Sequence, residues 1–226
     1  MLEKFTIFGI GGCGCNIAHR AAQQSTIQAV CIDTDTIALE SKSPDCQTLL
    51  VGEDRFDGLG TGGDFASARM TANDIKPVFR QQLKDCSLAI VVTGIGGGTG
   101  SAITPALLET ARNMSIPTIV FIVFPFSMEG SEKNKVANTA VRNICDQSDI
   151  YCIFKNDELC GSILSSSNIS LYDAMEEASD HIVTGITMFW RMISQPGYIN
   201  LDFANLLSST KKGRGQFYIC KGAAYG

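Results

Sequence analysis

The residues best suited to chemistry in this chain form a glycine-rich turn, Thr93-Gly94-Ile95-Gly96-Gly97-Gly98-Thr99-Gly100-Ser101. Because glycine has no side chain, several backbone N–H groups can converge there on one oxyanion, and a following helix adds the positive end of its dipole. The turn lacks a Gly-Lys-Ser/Thr ending, so it is not a Walker-type phosphate loop. It predicts a phosphate-bearing ligand whose charge is neutralised by backbone dipoles and a metal ion. The simpler alternative is a tight turn with no ligand.

The elements that must position this turn are a strand before it and a helix after it. Strands are predicted at residues 5–8, 27–32, 48–51, 88–92, 117–123 and 150–154. Helices are predicted at residues 17–24, from an N-cap at Asp64 onwards, from the glycine-rich turn to about residue 114, after Gly130 to about residue 146, and at residues 170–194. Pro196-Gly197 ends the last of these helices. This alternation predicts an α/β fold, a Rossmann-like three-layer parallel sheet with helices on both faces. Its strand-end loops then meet at one edge, where ligands bind.

Composition narrows the class of protein further. The 226 residues are 45% hydrophobic and 18% charged, which is typical of an ordinary folded soluble protein. A net charge of −5 argues against a nucleic-acid partner, and no apolar run reaches the length of a membrane span. The chain starts without a secretory signal, so a cytoplasmic location is expected. Nine scattered cysteines without a Cys-x-x-Cys pair, and only two histidines, predict reduced thiols and no metal-ligating residues.

One alternative function comes from the first glycine-rich loop. Gly9-x-Gly11-x-x-Gly14, with Asp33 about 20 residues further on, formally matches the dinucleotide fingerprint. It favours a nicotinamide- or flavin-dependent oxidoreductase. Three glycine-rich loops are nevertheless more than a dinucleotide fold requires, and the second half of the chain offers no evident hydride-transfer constellation.

The glycine-rich turn at residues 94–101 also resembles the signature of the tubulin/FtsZ family, closer to bacterial FtsZ than to tubulin. The resemblance extends from the first glycine-rich loop to Asn200-Leu201-Asp202. It implies a GTP-binding domain with GTP or GDP as its ligand, and it is compatible with a Mg²⁺ ion. It also implies longitudinal, head-to-tail contacts with further copies or with a filament-forming FtsZ-like homologue. Direct membrane insertion is not expected.

The resemblance places phosphate contacts on several loops. The first phosphate loop falls on Gly11, Gly12, Cys13, Gly14 and Asn16. The signature loop would hold the α- and β-phosphates through Gly96, Gly97, Gly98, Thr99, Gly100 and Ser101. The γ-phosphate-sensing loop falls on Gly60-Thr61-Gly62-Gly63-Asp64, followed by Arg69 on the next helix. Asp33-Thr34-Asp35 follows the second strand, with Asp35 a further site residue and Asp33 standing where the family usually has Asn.

The ribose and the base are assigned through the same resemblance. Pro125 and Glu129 belong to the ribose-binding loop, and Lys133 replaces the family's arginine, keeping its charge but not its planar fork. Guanine recognition falls to Asn156 and Asp180. A carboxylate can accept from both N1–H and the exocyclic amine of guanine, whereas adenine presents no such donor pair. Met175 takes the place of an aromatic residue that stacks on the base. The alternative for Asp180 is a solvated helix residue.

Hydrolysis in the resembled family needs a loop from the next subunit, with the pattern Asn-x-Asp-x-x-Asp. Here that loop reads Asn200-Leu201-Asp202-Phe203-Ala204-Asn205. Asn200 and Asp202 match the pattern, whereas Asn205 replaces its second acid. An amide cannot accept a proton, and the loss of a general base typically costs about 10²- to 10⁴-fold in rate. Weak hydrolysis is therefore expected, and whether the chain acts as an enzyme is left open.

Domain organisation follows from the resemblance as well. Residues 1–169 are predicted to be the GTP-binding domain and residues 170–195 the long central helix. Residues 196–226 would contain the catalytic loop and the start of a missing second domain, with its first strand at 216–220. A non-polymerising regulatory GTP-binder is the third functional alternative.

Overall fold

A computed structural model describes residues 4–44, 46–166, 169–194 and 215–219. Within them, seven parallel strands form one sheet in the order β3-β2-β1-β4-β5-β6-β7. The strands are β1 Phe5–Ile10, β2 Gln28–Asp33, β3 Gln47–Leu50, β4 Leu88–Gly94, β5 Thr118–Phe124, β6 Ile150–Lys155 and β7 Gly215–Gln216. The strand order reverses between β1 and β4, which makes the edge above these two strands the expected ligand site of such a sheet.

Helices cover both faces of the sheet. They are α1 Gly11–Gln23, α2 Thr36–Glu40, α3 Glu53–Phe56, α4 Phe65–Asp74, α5 Lys76–Leu83, α6 Gly98–Asn113, α7 Ser131–Gln147, α8 Asn156–Ser166 and α9 Leu171–Ser194. Helices α4 to α7 contribute to the hydrophobic core on one face, and α1 and α9 contribute to the core on the other. The predicted fold class, a Rossmann-like three-layer parallel sheet with helices on both faces, is confirmed, as is the long helix near its C-terminal end.

The central strands alternate between these two cores. In β4, Ala89 and Val91 belong to the first core, whereas Ile90 and Val92 belong to the second. All of these side chains are inaccessible to solvent. A strand buried on both faces needs an apolar residue at every position, which explains why the sequence of β4 is a continuous hydrophobic run.

The predicted helices differ from the observed ones mainly at their beginnings. Helix α1 begins at Gly11, six residues before the predicted start, and α6 begins at Gly98, inside the glycine-rich turn. The single helix expected after Asp64 is two helices, and Pro77 lies in the first turn of the second one, where a missing N–H costs nothing. Helices α2, α3 and α8 have no counterpart in the prediction.

The C-terminal strand extends the same sheet. Residues of β7 pair in parallel with Ile150 and Tyr151 of β6, and Phe217 and Ile219 pack against the second core. The assignment of this segment to the start of a second domain stays a prediction. The domain boundaries at 169/170 and 195/196 stay predictions, and Pro196-Gly197 lies outside the described residues.

Helix α1 lies unusually close to the sheet at Gly14. A Cβ atom at this position would overlap the backbone carbonyl oxygen of Val92 and would approach the Cα of Thr93 to 3.3 Å. Backbone atoms of a central strand cannot shift without disturbing the ladder on both sides. Gly14 therefore fixes the distance between α1 and β4.

We expect the Gly14→Ala substitution to lower the free energy of unfolding by about 1–3 kcal/mol, because it overpacks a rigid contact. Chemical denaturation with a fluorescence or circular-dichroism readout measures this. Gly161→Ala is the matched control, since Gly161 lies in α8 with open space around its Cβ position. The control should be neutral or stabilising by up to about 1 kcal/mol. Equal midpoints for the Gly14 variant and the parent would contradict this account of the packing.

Candidate functional site

Two adjoining cavities open at the carboxyl edge of the sheet. The first has a volume of about 590 Å³ and is lined largely by the three glycine-rich loops. The second, of about 530 Å³, has a mainly apolar wall formed by α1, α8 and α9. Both are lined by Cys13, Val123, Glu129 and Asn156. They therefore form one cleft with a glycine-lined end and an apolar end.

The central glycine-rich turn builds the floor of the first cavity. Gly96 has a φ of +102°, a conformation that favours glycine, and its N–H donates to Ser101 Oγ at 2.9 Å. Helix α6 starts at once from Gly97 with no side-chain cap, so its first N–H groups point towards the cleft. The Thr99 hydroxyl lies 2.8 Å from the Thr34 hydroxyl at the end of β2. The turn presents the positive end of a 16-residue helix to any bound anion.

The first glycine-rich loop forms the opposite wall in the same way. Gly11 has a φ of +73°, and α1 begins there without a side-chain cap. Cys13 faces the cleft at the boundary between the two cavities. The protein walls around its thiol, and to a lesser degree the negative charge of Glu129, raise the pKa of Cys13 to about 11. The thiol is therefore neutral at physiological pH.

The third glycine-rich loop, residues 58–64, covers the glycine-lined end of the cleft. Thr61, Gly62 and Gly63 line the first cavity, and a Cβ at Gly98 would overlap the Thr61 hydroxyl, so this loop lies directly against the start of α6. Asp64 caps α4 by accepting from Ser67 N at 3.0 Å, as predicted. Hydrogen bonds from Ser67 hold the pKa of this carboxyl below its usual range. The residues lining the first cavity do not include Asp64.

Other predicted contacts also serve the structure of the loops. Asp35 caps α2 by accepting from Ile37 N at 2.9 Å and from Ala38 N at 3.2 Å. Ser101 accepts from Gly96 N inside the turn, and Gly14 packs against β4. None of these three residues lines the first or the second cavity. In the structure these residues hold the loops in place, and their direct contacts with a ligand stay predictions.

The predicted ribose-binding residues do converge on the cleft. Pro125, Glu129 and Lys133 line the first cavity, close to the second. Glu129 accepts from Phe126 N at 2.8 Å with one carboxylate oxygen and pairs with Lys133 Nζ at 3.0 Å with the other. The carboxylate is thus held in place at the boundary between the glycine-lined and apolar ends.

The apolar end contains some of the residues predicted to recognise the base. Asn156 lines both cavities, and Met175 and Asn16 line the second. Asn16 accepts from Lys42 Nζ at 2.6 Å through its side-chain oxygen. The apolar end therefore joins residues of α1, α8 and α9 that are far apart in the sequence; Asn16 and Met175 are separated by 159 positions.

Asp180 is placed differently from the prediction. Its Oδ1 accepts from Arg20 of α1 at 2.5 Å, and the same guanidinium donates to Glu176 at 3.1 Å. Glu176 lines the second cavity, whereas Asp180 is not among its lining residues. The structure therefore places Asp180 in an ion pair with α1 beside the apolar end.

Arg20 and Glu176 are site residues that the sequence reading missed. Arg20 lies four positions after Asn16 on α1, and Glu176 lies four positions before Asp180 on α9. Side chains four residues apart share one face of a helix, so this spacing was the available signal. Further lining residues outside the predicted loops include Glu132, Val136, Tyr172 and Ser179.

Some predictions lie beyond what the structure describes. The candidate catalytic residues Asn200, Asp202 and Asn205 fall outside the described residues. Within the described part of the chain, no group of three or more His, Cys, Asp or Glu side chains could hold a metal ion. No helix in that part is long and apolar enough to cross a membrane.

The fold and the cleft define the class of protein: a nucleotide-binding domain with a Rossmann-like parallel sheet and glycine-rich loops at its carboxyl edge. The family model described as "Tubulin/FtsZ family, GTPase domain" matches residues 4–163. The chain belongs to this family. The predicted resemblance is confirmed, and the family assignment argues against the dinucleotide-dependent oxidoreductase.

Curated relatives agree with this assignment. "Cell division protein FtsZ" of Helicobacter pylori strain J99 is 31% identical over 208 residues, which are 91% of this chain and 54% of the relative. "Cell division protein FtsZ 1" of Pyrococcus horikoshii is 29% identical over 211 residues, 93% of this chain and 56% of the relative. The chain thus spans about half the length of the curated relatives it matches.

Solved structures show the same fold. The FtsZ dimer of M. jannaschii, solved empty, has a TM-score of 0.85 and 25% identity, covering 94% of this chain and 62% of that one. CetZ2 from Haloferax volcanii, solved as a GTPγS-bound protofilament, has a TM-score of 0.80 at 20% identity, covering 94% of this chain and 64% of that one.

Proposed function

We propose that this chain is the GTP-binding domain of an FtsZ-like cytoskeletal protein and that the cleft binds GTP or GDP. The observation that carries the proposal is the continuity of the two cavities, one glycine-lined and one apolar, through Cys13, Glu129 and Asn156. A nucleoside phosphate has the matching division into an anionic end and a flat aromatic end. Family membership supports the guanine nucleotide as the ligand.

The phosphates would be held mainly by backbone. The uncapped starts of α1 and α6 supply N–H donors and two helix dipoles. Among the residues that line the first cavity, Lys133 is the single cation, and it is paired with Glu129. A Mg²⁺ ion would be coordinated mainly by phosphate oxygens and water, because the described residues provide no cluster of acidic ligands. Such an ion would neutralise phosphate charge.

The base would occupy the apolar end beside Met175. Asn156 can complement the O6/N7 side of guanine, and Asp180 can accept from N1–H and the exocyclic amine once it leaves Arg20. Arg20 then keeps its ion pair with Glu176, so its charge is not left unpaired. Replacing the contact with Arg20 by a contact with the base costs little free energy, because the Asp180 side chain is half exposed and its ion pair is weak.

We expect the purified protein to bind GDP in clear preference to ADP, and Asp180→Asn to weaken GDP binding by about 10- to 100-fold while leaving ADP binding unchanged. Isothermal titration calorimetry with both nucleotides measures this. Asp74→Asn, a carboxylate-to-amide change on the exposed end of α4, is the matched control. Equal affinity of the parent protein for GDP and ADP would contradict the proposed function.

The chain is further proposed to assemble head to tail with itself or with an FtsZ-like homologue. The relatives named as cell division FtsZ proteins support this, although they extend well beyond the matched region. Cell division as the cellular process and a cytoplasmic location are part of the same proposal. The non-polymerising GTP-binder stays the alternative.

Sedimentation distinguishes a protein that assembles head to tail from a non-polymerising GTP-binder. We expect the protein to pellet in the presence of GTP and to remain in the supernatant with GDP, because only a nucleotide-dependent polymer responds to the γ-phosphate. Addition of excess GDP to the pelleted material should release it. Identical sedimentation with both nucleotides would favour the non-polymerising alternative.

Hydrolysis is proposed to be weak because the loop Asn200-Leu201-Asp202-Phe203-Ala204-Asn205 has an amide in place of its second acid. We expect Asn205→Asp to raise the rate of phosphate release by about 10²-fold or more, since it restores a group that can accept a proton. The rate is measured at saturating protein concentration, because the loop acts on the neighbouring subunit's nucleotide. Asn205→Ala is the control and should not exceed the parent. A parent rate equal to that of the Asp variant would contradict the proposal.

A further inference from the structure

Asp33 is a buried acid directly beneath the first phosphate loop. It ends β2, is 4% exposed, and accepts from Thr34 N at 2.7 Å through Oδ1. Its Oδ2 lies 3.9 Å from the position that a Cβ of Gly12 would occupy, and Gly12 lines the first cavity. The neighbouring Thr34 hydroxyl contacts Thr99 of the central turn. The carboxylate is therefore beside the place where phosphate would bind.

The charges around Asp33 do not neutralise it by direct contact. Helix α1 presents glycines and the neutral Cys13 thiol, α6 presents Thr99, and the start of α2 presents Asp35, a second acid. Lys42 is the nearby cation, but its ammonium group hydrogen-bonds Asn16 and Ser41. An anionic Asp33 would repel a diphosphate or triphosphate held on the same loop.

The pKa of this carboxyl is already raised before any ligand binds. Burial raises the pKa of Asp33, and the charge of Asp35 raises it further. Two hydrogen bonds, donated by the N–H groups of Thr34 and Asp35, lower the pKa, and so does the charge of Lys42. The net pKa of Asp33 is still raised. A bound phosphate adds a negative charge nearby and must raise the pKa again.

Resting on the proposed function, we propose that Asp33 sets the phosphate affinity of the cleft and that it takes up a proton when a nucleoside diphosphate or triphosphate binds. The residue that the resemblance leads one to expect here, Asn, would hold the same hydrogen bond from Thr34 without the charge. Asp33 would thus make nucleotide binding tighter in acid and weaker in base, which an amide cannot do.

The direction in which nucleotide affinity changes with pH follows from the linkage between proton binding and nucleotide binding. Since the pKa of Asp33 is higher in the complex than in the free protein, affinity is greatest below both values and falls as pH rises from the free to the bound value. Above both pKa values Asp33 is ionised in the free protein and in the complex, so its repulsion of the phosphates lowers the affinity to its minimum. Within that interval, affinity should change by up to about tenfold per pH unit from this one group.

The test is calorimetric titration of GDP into the whole chain with EDTA present, between about pH 5 and pH 8, in two buffers that differ in their ionisation enthalpy. We expect the parent protein to show net proton uptake on binding beyond the contribution of GDP itself. Asp33→Asn should bind GDP about tenfold more tightly at the alkaline end and should lose this extra uptake. Asp54→Asn, on an exposed position of α3, is the matched control and should behave like the parent.

Two results would overturn the inference while leaving nucleotide binding intact. One is GDP binding by the parent protein with no proton uptake beyond that of GDP at any pH in the range. The other is an Asp33→Asn variant with the parent's affinity and pH profile. The buffer comparison on the parent keeps the test valid even if the variant does not fold. Failure of the parent to bind GDP at all would instead contradict the proposed function.

Discussion

The structure depends on the close approach of two helix starts to the same central strand, β4. Helix α1 contacts β4 at Gly14, and a Cβ at Gly100 of α6 would overlap the carbonyl oxygen of Gly94. Because β1 and β4 are adjacent in the sheet, both helices begin at the same edge. Any side chain at either contact would push a helix away and separate the backbone donors. The same glycines therefore allow the close packing and would allow the proposed anion binding.

This arrangement explains how an acidic chain can bind an anionic ligand. The net charge is −5, and among the residues that the structure describes, the one cation lining the first cavity is Lys133, which pairs with Glu129. Helix dipoles and unpaired N–H groups supply fixed partial charges that do not depend on lysine or arginine. In such a site a single extra charge has a large effect, since little else balances it. Asp33 is such a charge, since its carboxylate lies beside Gly12 of the first glycine-rich loop.

The sequence predicted the sheet well because its signal is local. Six of the strands are apolar runs between turn residues, and the fold class follows from their alternation with helices. The beginnings of α1 and α6 could not be predicted in this way, since Gly11 and Gly98 are poor helix formers whose helical conformation comes from tertiary packing. In the site, glycine spacing and family resemblance indicate Gly12, Thr99, Glu129 and Asn156, and all four line the cleft. They could not show that Asp35 caps α2, or that Asp180 pairs with a residue 160 positions away.

Binding and turnover are separable in this architecture. The acids that line the first cavity are Glu129 and Glu132, and both belong to the segment at the start of α7 that adjoins the apolar end. The loops around the glycine-lined end contribute backbone, hydroxyls and a neutral thiol, which can hold phosphate but are poor proton acceptors. An acid that activates water at the terminal phosphate would then have to approach from outside these loops. Under the proposed function, assembly would then be a condition for hydrolysis, and a change confined to residues 200–205 would slow hydrolysis without altering the cleft.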